Sequence, residues 1–190
     1  VDAEVVIPTD ILTKKNNSKS LLFIGKPFYL DGANELISAV ENLRMRGYEL
    51  DVDIIGIEPN LISKKFDWLS VHGYLDKGNS SDKRKYYNLL ENAKLFINTT
   101  PGWNAFQATL EAMYFYNPIV VRPNESLIQT FPTLRNFSYL VEKKGGDLEG
   151  VIIESIKNKD QYLVKCQESH ESVKPLTWDG FTQSLIELIK

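Results

Sequence analysis

Six short apolar runs recur along this chain in alternation with stretches of helical spacing, and no feature of the sequence restricts its fold more. The runs are "LLFIG" (21–25), "DVDIIG" (51–56), "WLSVHG" (68–73), "KLFIN" (94–98), "PIVV" (118–121) and "SYLVE" (138–142), each bounded by Gly, Pro or Asn. Their apolarity is continuous rather than alternating, which suits strands covered on both faces. Between them, Leu36, Val40 and Leu43, then Tyr86, Leu89, Leu90 and Ala93, then Phe106, Leu110 and Met113 fall at helical intervals. Such alternation implies right-handed crossovers and a parallel sheet. The expected fold is therefore α/β: a Rossmann-like parallel sheet of about six strands with helices on both faces. The segment 148–190 carries no strand signal and reads as a C-terminal helical segment broken at Pro175.

At 190 residues, a single domain (1–190) is expected, large enough to bury roughly 70% of its unfolded surface. Basic residues are interspersed with acids and the formal net charge is -3, so nothing suggests a nucleic-acid-binding stripe. No apolar run approaches the roughly 20 residues of a membrane span. The lone Cys166 excludes an intramolecular disulfide or a cysteine metal cluster and reads as an apolar filler in a helix. His72 and His170 lack metal-ligand spacing and read as structural. The chain opens without a basic leader, so its start looks cut. Five Asn-x-Ser/Thr triplets begin at Asn16, Asn79, Asn98, Asn124 and Asn136 and are read as chance.

In sheets of this kind ligands bind beyond the carboxyl ends of the strands, where strand order reverses. The loops "GKPFYLDG", "GYLDKG" and "TTPGWNA" follow the first, third and fourth runs directly. In the first, Gly25 allows close backbone approach and Lys26 offers a cation that suits a diphosphate. In the last, a helix starting near Asn104 or Ala105 would offer unpaired N–H groups at the positive end of its dipole. Glu111 then falls among Leu110, Ala112, Met113 and Phe115, where a carboxylate without a donor is costly. Two readings of it stand: an acceptor for the hydroxyls of a sugar diol, or an exposed acid on the solvent face of the helix. Neither the dinucleotide fingerprint nor the phosphate loop of nucleoside triphosphatases occurs.

The order of these pieces resembles the C-terminal, donor-binding half of a retaining glycosyltransferase of family 4, whose GT-B fold sets two Rossmann-like domains face to face. "VIPTD" resembles the family's inter-domain "VIPNGVD", "LLFIGKPFYLDG" resembles "FVGRLxxxKG", and "LEAMYFYNPIVV" resembles "LEAMAxGxPVV". "VHGYLD", "YYNLLENAKLFINTT" and the closing "TWDGFTQSL" follow in the family's order. The resemblance implies that Gly25 and Lys26 meet the donor diphosphate, that Asn104, Ala105 and Phe106 supply backbone N–H groups to the phosphates, that Tyr74 lies by the base and that Glu111 takes the ribose hydroxyls. Trp103 stands where the family has a glutamate that engages the transferred sugar. Asp31 stands where a second cation would help neutralise the diphosphate, and Tyr116 stands where a glycine closes the helix, with Asn117 expected to take the left-handed turn instead.

The function so implied is retaining transfer of a hexosyl group from a nucleoside-diphosphate sugar to a carbohydrate or lipid acceptor. The acceptor site and any general base would belong to an N-terminal domain outside this chain, leaving the isolated domain without turnover and with no catalytic residue assigned. No metal or cofactor beyond the nucleotide sugar is expected, nor a nucleic-acid partner or transmembrane segment, and the protein would be cytoplasmic or membrane-peripheral, in polysaccharide biosynthesis. The Trp103 and Asp31 departures leave a second reading open, a GT-B-like binding or scaffolding module without turnover.

Overall fold

The computed structural model describes residues 5–100, 106–142 and 147–189. All six apolar runs form strands: β1 (Ser20–Ile24), β2 (Asp51–Ile55), β3 (Leu69–Val71), β4 (Ala93–Asn98), β5 (Ile119–Val121) and β6 (Ser138–Leu140). They make one sheet in the order β3-β2-β1-β4-β5-β6, and every pairing is parallel. The order runs outward in both directions from the β1–β4 seam, so the chain reverses its direction of travel across the sheet there. Right-handed crossovers consequently place helices on opposite faces of the two halves.

Nine α-helices are described: α1 (Ile11–Asn17), α2 (Leu30–Met45), α3 (Ser80–Asn92), α4 (Phe106–Tyr114), α5 (Glu125–Thr130), α6 (Leu134–Phe137), α7 (Leu148–Lys157), α8 (Lys159–Val173) and α9 (Trp178–Ile189). α2 packs on β2, β4 and α7, while α8 gathers α1, α4 and α6. β4 is buried at all six positions because both faces are covered, whereas edge strand β3 exposes Ser70. Gradation from centre to edge is what continuous and mixed apolarity mean in the sequence.

Several details differ from the sequence expectation. Ala93 fits the helical spacing of α3 but opens β4, where the pairing with β1 shifts register between Ser20 and Leu21. Helices α1, α5 and α6 were not anticipated. Tyr116 itself adopts the left-handed conformation (φ 59), and Asn117 does not relieve it. The Asn117 amide instead donates to the carbonyls of Leu90 (2.9 Å) and Ala112 (3.0 Å). Tyr116 is held in this costly conformation by a stacked contact with His170, centroids 4.0 Å apart. The triplets at Asn79 and Asn124 have a structural reason: each Asn caps a helix, accepting from Ser81 and Asp82 at the start of α3 and from Leu127 at the start of α5. Cys166 is buried in α8, and burial pushes its thiol up to about 11, consistent with an inert filler. His72 Nε2 lies 2.7 Å from Asp53, and His170 Nδ1 lies 2.6 Å from the Tyr114 carbonyl.

Candidate functional site

Each of the first three strands is followed within two residues by a glycine, Gly25, Gly56 or Gly73. Gly56 has φ +86, and a Cβ there would stand 2.5 Å from the Gly25 carbonyl oxygen, so only glycine lets the ends of β1 and β2 approach this closely. Gly25 N–H donates to Ile55 O (3.0 Å), and Gly56 N–H donates to Gly73 O (2.7 Å). Those bonds continue the parallel pairing past the carboxyl ends of the strands.

Across the seam, the end of β4 is tied to the end of β1. Asn98 Nδ2 donates to Ile24 O (3.4 Å) while its Oδ1 accepts from Thr100 N–H (3.2 Å), and Thr100 Oγ1 reaches Tyr29 O (3.4 Å). Arg122, just beyond β5, donates to Thr99 O (2.5 Å) and to Glu35 Oε1 of α2 (2.7 Å), and Thr99 Oγ1 donates to the other oxygen of Glu35. The loops after β1 and β4 are thus fixed to one another before any ligand arrives.

Between them lies a cavity of about 430 Å3 at the carboxyl edge, lined from the β1 side by Gly25, Lys26, Phe28 and Tyr29, from the β3 side by Tyr74, Leu75 and Lys77, and from the helices by Tyr86, Gln107, Ala108 and Glu111. Four sequence-identified residues, Gly25, Lys26, Tyr74 and Glu111, therefore meet in one concavity. Trp103, Asn104 and Ala105 lie outside the described residues, and Phe106 begins α4. Asp31 is exposed in the first turn of α2 and is not part of this lining.

Glu111 is only 4% exposed, which removes the solvent-face reading of it. The donors that a buried carboxylate needs come from the protein itself. Lys77 Nζ (2.7 Å) and Gln107 Nε2 (3.3 Å) both donate to Oε1, and the Tyr86 hydroxyl donates to Oε2 at 2.5 Å. Burial foremost, and then the charge of Glu111, hold the Tyr86 phenol well above its ordinary range, so it is a permanent donor. A carboxylate offers about four acceptor positions. Among the described residues three are occupied, which leaves one acceptor position on Oε2.

Phe28 (68% exposed) and Tyr74 (73% exposed) are unburied aromatics on the two sides of the mouth. Exposed rings there are suited to take a planar ligand group by stacking. Sequence reading missed Phe28, Lys77, Tyr86 and Gln107. Gln107 had a signal, because it precedes Glu111 by one helical turn. Lys77 and Tyr86 belong to other elements, and no local pattern links them to the acid.

No family model matches the chain, and no curated protein sequence matches it. Its fold does match solved glycosyltransferases of the GT-B kind. A variant of S. aureus TarM, solved with UDP, α-GlcNAc-glycerol and fondaparinux, is 17% identical with a TM-score of 0.71 over 97% of this chain and 37% of TarM. Anabaena HepE, solved with UDP and glucose, is 13% identical with a TM-score of 0.69 over 97% of this chain and 52% of HepE. The C-terminal domain of LpcC from Francisella tularensis, a glycosyl transferase group 1 family protein, is 14% identical with a TM-score of 0.66, covering 91% of this chain and 96% of that domain. This chain has the Rossmann-like α/β fold that these enzymes share. It spans less than two thirds of TarM and HepE. Among the described residues no helix is long and apolar enough to cross a membrane.

Proposed function

We propose that this chain binds a nucleoside-diphosphate sugar and is the C-terminal donor-binding domain of a family 4 glycosyltransferase, transferring a hexosyl group with retention to a carbohydrate or lipid acceptor. The observation that carries this reading is the shared cavity of Lys26 and Glu111 beyond the β1–β4 seam, the place where open α/β sheets bind ligands. In this reading Phe28 and Tyr74 flank the base, the open acceptor position of Glu111 takes a ribose hydroxyl, and Lys26 faces the diphosphate. Rate enhancement would come from stabilising charge as the diphosphate departs, by an ammonium already in place. Residues of this chain hold the donor, and the group that receives the acceptor's proton would come from the partner domain. The fold match to enzymes solved with UDP supports the choice of ligand class. No metal or cofactor is invoked.

Calorimetric titration with uridine, guanosine and adenosine diphosphates tests the binding step. Glu111→Gln is expected to raise the dissociation constant about tenfold, equivalent to about 1.4 kcal/mol, with the fold intact by circular dichroism. An unchanged constant removes the ribose contact. Offering a panel of nucleotide sugars to the protein together with its acceptor-binding partner domain tests turnover, and nucleotide binding without sugar transfer or donor hydrolysis would identify a binding module instead.

A further inference from the structure

We propose that Lys77 is a second diphosphate-binding cation, on which the site's preference for a nucleoside diphosphate over the bare nucleoside depends. This rests on the nucleotide reading above. A diphosphate carries more than one negative charge, and Lys26 is one cation. Among the described residues, Lys77 is the other lysine lining the same cavity, and no arginine lines it.

Its geometry is that of a residue held ready rather than one fully used. The ammonium has three donors, and among the described residues its hydrogen bonding consists of the single 2.7 Å contact to Glu111 Oε1. Its side chain is 35% exposed, against 5% for Glu111, and it lines the cavity, so a ligand there can reach it. The ammonium also lies 4.9 Å from the centroid of the Tyr86 ring, whose hydroxyl is bound to the same carboxylate. Lys77, Glu111 and Tyr86 therefore fix one another, and the rotamer entropy that ordering a lysine costs is largely spent before a ligand arrives.

Position on the acid matters too. The oxygen that receives Lys77 also receives Gln107, one turn nearer the start of α4, while Tyr86 takes the other oxygen. Lys77 can thus keep its bond to Glu111 and donate at the same time to a phosphate oxygen of a ligand whose sugar hydroxyl rests on Oε2. Such a bond is charge-assisted on both sides and belongs to the stronger class of hydrogen bonds.

The test compares two ligands on three proteins. The diphosphate of the preferred base and its nucleoside are titrated into the wild-type chain, Lys77→Met and Lys77→Arg, with competition NMR reading affinities into the millimolar range. The expected result is a loss of about tenfold for the diphosphate in Lys77→Met, a change within about twofold for the nucleoside, and recovery of most of the difference in Lys77→Arg. Equal loss for both ligands would reduce Lys77 to a counter-ion of Glu111 and overturn the proposal while leaving the nucleotide reading intact. An unchanged diphosphate affinity overturns it likewise. A wild-type chain that binds neither ligand removes the nucleotide reading itself, and this proposal with it.

Discussion

The two ends of the sheet use lysine in opposite ways. At the amino ends of β4 and β5, Lys15 of α1 is wholly buried, and its three donors meet three acceptors: Leu90 O (2.6 Å), Ala93 O (2.8 Å) and Asn117 Oδ1 (2.8 Å). Lys165 of α8 does the same at the start of β6, donating to the carbonyls of Arg135, Asn136 and Ser138. At the carboxyl edge, Lys77 has, among the described residues, one acceptor for three donors, and Lys26 is exposed. An ammonium whose donors are all taken by neutral carbonyls closes a structure. One with donors left over at a cavity can receive a ligand. The difference lies in the count of acceptors and not in burial alone, since Lys77 is itself two-thirds covered.

Breaking the closed end should have the largest effect. Burial pulls the Lys15 ammonium well below its ordinary value, but its three acceptors offset that cost, so Lys15→Met, which leaves Ala93 O and Asn117 Oδ1 without this donor, is expected to destabilise the fold by about 3 kcal/mol, read from urea unfolding. Lys77→Met, by contrast, is expected to cost about 1–2 kcal/mol, because Glu111 loses its counter-charge but Tyr86 and Gln107 continue to donate to it. Equal losses of stability would erase the distinction between the two ends.

Lys94 sharpens the comparison because it is buried without such partners. It lies 3.9 Å from the centroid of the Tyr162 ring, and among the described residues its hydrogen bonding is a single long contact to Lys15 O (3.5 Å). Burial pulls its ammonium down to about 8 from an ordinary 10.5. The folded state therefore sheds this proton before the unfolded state does. The cost of burying the charge is complete below pH 8, shrinks as pH rises from 8 to 10.5, and is gone above that range. Lys94→Met should stabilise the protein by about 1–2 kcal/mol at pH 7, less than the full shift implies because the ring partly compensates the charge. Its advantage over wild type should close by about pH 10.5. A gain that does not vary with pH would show that packing, not charge, is responsible.

The smallest effect is expected at Tyr116. Glycine at this position would relieve a left-handed tyrosine, about 1 kcal/mol, and would lose the stack on His170, worth a similar amount. Tyr116→Gly should accordingly shift unfolding by less than about 1 kcal/mol in either direction. A large stabilisation would mean that the stack contributes little.

What the sequence disclosed and what it withheld follow from the range of the interactions. Strand β4 is legible because burial on both faces demands an unbroken apolar run, and "AKLFIN" supplies one. The end of α3 is not, since Ala93 suits helix and strand alike and only pairing with Ser20 decides. α1 escaped notice because only Ile11 and Lys15 of its seven residues are buried, too few for a period to show. Within the cleft, the Gly25–Lys26 pair follows its strand directly and is readable from chain order. Two partners of Glu111, Lys77 and Tyr86, are 34 and 25 residues away, and a spacing rule reaches no further than one element.

The seam between β1 and β4 also governs how the molecule comes into being. β1 joins β2 through one helical crossover, and β4 joins β5 through another, so each half can assemble from neighbours in the chain. Pairing Ser20 with Ala93 instead requires closure of a long loop. The cavity straddles that junction, with Lys26 contributed by one half and Glu111 by the other. During refolding, helical and sheet signals should accordingly appear while the cleft does not yet exist, and its completion reports that the two halves have joined.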